Sequence, residues 1–151
     1  MNRGLAAALT AAAVTLAMPL VMRSEGLSVM PYRDPVGLLT VCYGETHATM
    51  RRYTVAECRS MLAESLAAHG SAIAVCMPEH LPDGVQAAML SFGYNVGSAK
   101  FCGSTMSAKL RQGDTPGACA ELSKWINAGG NPLPGLVTRR AAERAMCEGR
   151  A

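Results

Sequence analysis

Residues 25–44 read EGLSVMPYRDPVGLLTVCYG, and this stretch decides the fold. Residues 30–33 make one extended run, Asp34-Pro35-Val36-Gly37 has turn chemistry with proline second, and residues 38–43 make another run. The pattern predicts a β-hairpin over residues 30–43. Side chains alternate along a strand, so Leu39, Val41 and Tyr43 are expected on one face and Leu38, Thr40 and Cys42 on the other. The same stretch carries Glu25, Asp34 and Thr40. Glycosidic cleavage needs such a set. One carboxylic acid protonates the leaving oxygen, and a second carboxylate with a hydroxyl orients a water on the opposite face. Taken singly, each residue has an ordinary use: a solvated glutamate, a turn-starting aspartate before proline, a strand threonine.

Downstream of the hairpin the signals are helical. Thr54-x-x-Glu57 is a capping box, followed by Val55, Cys58, Leu62 and Leu66 at helical spacing. Asp83 is expected to cap the next helix, whose apolar stripe is Val85, Ala88, Met89 and Phe92. Ser104 starts a short helix that stops at Gly113, and Thr115-Pro116 places proline at the first position of another, carrying Cys119, Leu122 and Trp125. Residues 127–135 are a loop rich in glycine and proline, and residues 136–148 form a last helix ended by Gly149. One small hairpin among several helices predicts an α+β domain.

Upstream, residues 4–22 (GLAAALTAAAVTLAMPLVM) carry no charge. As a helix they would span about 28 Å, close to a bilayer core. Seven Ala, four Leu, two Val and two Met stand against two Thr, one Gly and one Pro, so the insertion free energy lies near zero. Such a helix enters a membrane and also leaves it. Arg3 and the terminal amine precede the segment, while Arg23 and Glu25 cancel after it, which favours a cytoplasmic N-terminus. An uncleaved marginal anchor is therefore expected, against a cleaved signal peptide at Thr15-Leu16-Ala17 or a buried core helix. Small residues at Gly4/Ala8/Ala12 and Ala13/Ala17 would let it pack closely on another helix.

The 151 residues suffice for one domain, and with half of them hydrophobic and 17% charged the chain is not disordered. A net charge of +3 without a Lys/Arg run does not suggest a nucleic-acid partner and suits an acidic polymer such as a bacterial wall. The six cysteines (Cys42, Cys58, Cys76, Cys102, Cys119 and Cys147) make no Cys-x-x-Cys pair, and His47, His69 and His80 have no zinc-ligand spacing. No metal or other cofactor is expected. An even cysteine count behind an export-like segment points to up to three disulfides in an oxidising compartment. Spacing alone leaves all 15 connectivities open.

Four ordered motifs resemble the phage-type lysozymes, glycoside hydrolase family 24. The first is Glu25-Gly26, then Tyr32-Arg33-Asp34, Gly37 and Thr40-Val41-Cys42-Tyr43-Gly44-Glu45-Thr46. The second is Ser91-Phe92-Gly93-Tyr94-Asn95-Val96-Gly97, and the third Phe101-Cys102-Gly103-Ser104-Thr105-Met106. The fourth runs from Trp125 through Gly129-Gly130 and Gly135-Leu136-Val137-Thr138-Arg139-Arg140 to Glu143. The N-terminal segment resembles that of the signal-anchor-release (SAR) endolysins.

The resemblance implies a lysozyme-like fold, with a hairpin lobe and a mainly helical lobe. Residues 1–23 would be the release segment and 24–151 the catalytic domain. It implies a muramidase cleaving the β-1,4 bond between N-acetylmuramic acid and N-acetylglucosamine in peptidoglycan, usually with inversion. Glu25 would be the general acid, Asp34 the water-holding carboxylate and Thr40 its assistant. Asn95 would contact substrate. Arg139, or Arg140 one position on, would pair with Glu25; the alternative for Arg139 is a surface pair with Glu143. The implied partners are peptidoglycan, the host inner membrane through residues 4–22, and a functional link to a holin or pinholin. The implied location is the periplasmic face of that membrane, then the periplasm.

Cys42 replaces a glycine common in the family's Thr-x-Gly-x-Gly string, and Glu45 stands where some members carry histidine. Cys42 is expected to bond Cys58, which begins the helix after the hairpin. Family patterns imply Cys76 with Cys102 and Cys119 with Cys147. The competing readings are a non-catalytic wall-binding or scaffold protein of the same fold, and a secreted chitin-type hydrolase.

Overall fold

The computed structural model describes residues 8–150. Helix α1 (Ala11–Glu25) is followed by strands β1 (Ser28–Arg33) and β2 (Leu39–Cys42), then by helices α2 (Val55–Ala74) and α3 (Asp83–Val96). Short helices α4 (Ser98–Cys102), α5 (Thr105–Arg111) and α6 (Thr115–Glu121) lead through a single 3-10 turn to strands β3 (Asn127–Ala128) and β4 (Asn131–Pro132). Helix α7 (Pro134–Cys147) closes the fold. Two antiparallel hairpins, β1-β2 and β3-β4, thus accompany a helical body. The second hairpin lies in the stretch expected to be a loop; Gly129 and Gly130, both at positive φ, make its turn.

The local signals act over short distances. The Thr54 hydroxyl accepts from the Glu57 amide at 3.1 Å, and the Thr54 amide donates back to the Glu57 carboxylate at 2.7 Å. Ser104 caps α5 through the Ser107 amide at 3.1 Å. Asp114, not Thr115, caps α6, which leaves Pro116 inside its first turn. Asp83 does not cap α3. It is the first helical residue, after Pro82, and its carboxylate accepts from the Thr10 hydroxyl at 2.7 Å.

Helix α1 covers most of the apolar segment. Residues 4–7 of that segment lie outside the described residues. Ala13, Ala17, Leu20 and Val21 are buried, and α1 packs against α3 and α2. The Ala13/Ala17 pair lets the helices approach closely, as small residues do. Thr10 accepts from the Ala13 amide at 3.1 Å, and its own amide donates to Gln86 at 3.0 Å. Thr10 therefore has partners on α3, while the Thr15 hydroxyl donates to the Ala11 carbonyl of its own helix at 3.0 Å. Among the described residues, no helix is long and apolar enough to cross a membrane.

The core between α2, α3, α4 and α5 is built from fully buried Leu62, Leu66, Ile73, Met89, Phe92, Phe101 and Met106. Phe92 meets Trp125 edge-on at 5.1 Å, a geometry that aromatic pairs favour. Three disulfides staple this body: Cys42–Cys58 ties β2 to α2, Cys76–Cys102 ties the end of α2 to α4, and Cys119–Cys147 ties α6 to α7. The expected strand alternation fails at Thr40 to Tyr43, which are all buried. Cys42 has φ +61° and breaks the pleat, and Val41 pairs back to Glu45 across a tight turn. A left-handed residue is unusual outside glycine, and this one is also bonded to α2 through Cys58.

Candidate active site

Glu25 is the last residue of α1, and its side chain is about a quarter exposed, at 27%. The Arg139 Nη1 donates to its Oε1 at 2.9 Å. Its Oε2 faces Gly44: a Cβ at that glycine would stand 3.4 Å away. Gly44 has φ +83° and follows the second hairpin strand. Glu25 is therefore set between α7 and the end of the hairpin.

Asp34 and Thr40 are joined through one residue. Leu38 donates its amide to Asp34 Oδ1 at 2.8 Å, and its carbonyl accepts from the Asp34 amide at 3.0 Å and the Thr40 hydroxyl at 2.9 Å. Val36 adds a second amide to Asp34 Oδ1 at 3.0 Å. Both turn amides fall on Oδ1. The Thr40 proton is spent on a carbonyl, so its oxygen presents lone pairs. Tyr32 stands opposite Thr40 in the ladder.

Behind Glu25 lies a buried charged network. Arg139 donates from Nη2 to the Ser91 carbonyl at 3.0 Å and from Nε to Glu143 at 3.1 Å. Glu143 is wholly buried and also accepts from the Ser91 hydroxyl at 2.8 Å and from Arg140 Nη1. Arg140 reaches the Trp125 carbonyl at 3.0 Å and the Asn95 side chain, and lies over the Phe92 ring at 4.9 Å. Burial pushes the Arg140 guanidinium below its ordinary pKa, and Glu143 opposes that shift. Arg139, not Arg140, thus meets Glu25, and it meets Glu143 as well, in the interior and not on the helix surface. Asn95 is exposed and, with Glu25, Arg139 and Leu136, lines a cavity of about 610 Å³ between α1, α3 and α7.

Two polar partners, Ser91 and Tyr94, were given no role from sequence, and Glu45 was noted only as standing where some family members carry histidine. Glu45 accepts from the Ser65 hydroxyl at 2.7 Å. Tyr94 packs against His69 with the rings tilted at 56° and their centroids 4.8 Å apart. Burial first, then the carboxylates of Glu45 and Glu25, push its phenol well above its ordinary value and keep it neutral. The signal for Ser91 and Tyr94 was their place in the Ser-Phe-Gly-Tyr-Asn motif. Among the described residues no cluster of His, Cys, Asp and Glu could hold a metal ion.

A profile of the family described as phage lysozyme matches residues 22–143. The SAR-endolysin of Bacteriophage PS119 is 42% identical over 126 residues, covering 82% of this chain and 75% of that protein. The SAR-endolysin of Enterobacteria phage P21 is 37% identical over 156 residues, covering 97% and 94%. The fold superposes on the crystal structure of the active form of the P1 phage endolysin Lyz with TM-score 0.79 at 24% identity, covering 94% of this chain and 96% of that one. The architecture is lysozyme-like.

Proposed function

The chain belongs to the phage lysozyme family, and from that premise we propose that it is an endolysin that hydrolyses the β-1,4 bond between N-acetylmuramic acid and N-acetylglucosamine in peptidoglycan. The observation that supports it is that Glu25 sits beside Gly44 at the end of the hairpin, while Asp34 and Thr40 are both fastened to Leu38 of that same hairpin. Arg139 occupies Oε1 of Glu25, so the acid proton sits on Oε2 and passes to the leaving oxygen. Asp34 Oδ2 takes a proton from the attacking water while the Thr40 oxygen accepts its second hydrogen. Asn95 and Arg139 line the cavity where sugar would lie.

Activity is governed by the whereabouts of α1. Residues 1–23 serve as a signal-anchor-release segment and 24–151 as the catalytic domain. With the segment in the host inner membrane, Glu25 is held at the bilayer surface and cannot take its place beside Gly44. Release into the periplasm, on depolarisation by a holin or pinholin, lets α1 dock on α3. The relatives' printed name, SAR-endolysin, and the near-zero insertion balance support this.

Clearing of purified sacculi by the parent and by Glu25→Gln tests the chemistry. The variant should lose at least a hundredfold in rate, the scale of general acid catalysis; equal clearing would defeat the enzymatic role. Fractionation before and after an uncoupler tests the release. A chain with residues 4–22 replaced by a Leu-rich helix should stay membrane-bound and lyse slowly, and rapid lysis would overturn it.

A further inference from the structure

Glu143 has no direct contact with the cavity, yet it is the buried carboxylate on which both arginines converge. Arg139 is the only link between it and Glu25 among the hydrogen bonds of the described residues. The four groups carry two positive and two negative charges when all are ionised. A general acid works only when protonated, and then one positive charge is in excess. Without Glu143 two would be in excess, which favours the ionised, inactive form of the acid.

We propose that Glu143 is a positioning residue for sugar cleavage: it holds Arg139 against Glu25 and offsets arginine charge, so that the acid keeps its proton. The inference rests on Glu25 being the general acid. The geometry supports orientation as well as charge. Arg139 is anchored at Nε by Glu143 and at Nη2 by the Ser91 carbonyl, so Nη1 is the remaining donor group and points at Glu25. A guanidinium held at two corners is aimed at the third.

The other groups around this network do not replace Glu143. Helix α3 contributes neutral Ser91 and Asn95 and the neutral Tyr94 phenol. The segment before α7 contributes the Trp125 carbonyl. Helix α1 contributes Glu25 itself and the exposed Arg23, which lines the same cavity. The turn after β2 contributes Glu45, which Ser65 engages and which stands by Tyr94. The hairpin contributes Asp34, held by its own turn amides.

The test is the pH–rate profile of the full chain on purified sacculi. Glu143→Gln keeps the side-chain shape and removes the charge. Its alkaline limb should move down by about one pH unit, the scale of a unit charge acting across one guanidinium in a partly buried site. At a fixed pH on that limb this is about a tenfold loss of rate, carried by kcat more than by KM. Arg140→Gln removes a positive charge and should move the limb upward, which keeps the test alive if Glu143→Gln does not fold. A merely structural role would lower stability or kcat with the limb unmoved. An unmoved limb in a folded variant, shifts of the same sign in both, or failure of both to fold would overturn the proposal. Glu25→Gln, run in parallel, separates the two readings: its loss of activity beside an unmoved Glu143→Gln profile removes only this inference.

Discussion

Thr10→Val removes the bonds that fasten the start of α1 while keeping its shape. The Thr10 hydroxyl accepts from the Ala13 amide at 3.1 Å and donates to Asp83 at 2.7 Å, and valine does neither. Loss of an N-cap costs about 1 kcal/mol. Loss of an exposed hydrogen bond to a carboxylate costs about another 1 kcal/mol, below the range for buried charged bonds. The Thr10 amide still reaches Gln86, so the helix keeps its register. A shift of about 2 kcal/mol raises the undocked population of α1 about 30-fold, at tenfold per 1.4 kcal/mol. The body should be little affected, because Ala13, Ala17, Leu20 and Val21 still pack when the helix is docked. Amide hydrogen exchange on the soluble protein reads this directly. Protection in α1 should fall by about that factor, while α2 and α5 keep theirs. Unchanged protection in α1 would refute the claim that Thr10 fastens it. A uniform fall across all helices would refute the claim that α1 opens separately.

Gly84→Ala places a Cβ 2.8 Å from the Met146 carbonyl, a backbone atom of α7. Helices α3 and α7 must separate, which costs about 1–3 kcal/mol and outweighs the gain of about 1 kcal/mol in helix propensity. The melting temperature should fall by several degrees, and a rise would show that the helices yield freely. Glu121 is held below the usual carboxylate range by its hydrogen bond to Lys109 and then by Lys124. A depressed folded pKa stabilises the protein above the unfolded value, about 4.3, and that contribution is lost as pH falls through the folded value. Urea midpoints for Glu121→Gln should therefore lie below the parent at pH 7 and converge with it once pH falls below the folded pKa; a gap that persists in acid would point to packing and not charge.

Much of the architecture was legible because its signals are local. The Asp34-to-Gly37 turn, the Thr54/Glu57 box and the Ser104 cap each join residues within four positions, so the chain specifies them wherever it folds. Cys42–Cys58 follows the expectation drawn from the start of the helix after the hairpin, and Cys76–Cys102 and Cys119–Cys147 follow the expectation drawn from family resemblance; spacing alone had left all connectivities open. Asp83 shows the limit of local reading. It carries the right chemistry for a cap, yet Pro82 takes that position and Thr10, 73 residues earlier, takes its carboxylate.

By itself the sequence determined which groups are available: a glutamate after an apolar segment, an aspartate and threonine on one hairpin, and two arginines with a glutamate at helical spacing. Tertiary structure decided which of them meet. Arg139 and Glu25 are 114 residues apart, and only the packing of α1 and α7 against α3 brings them to 2.9 Å. The same packing takes Arg139 and Glu143 into the interior, where a pair that would be a weak surface contact becomes a buried network. The physical reason is burial. Helical spacing places two side chains on one face, but whether that face meets water or another helix depends on contacts made far along the chain.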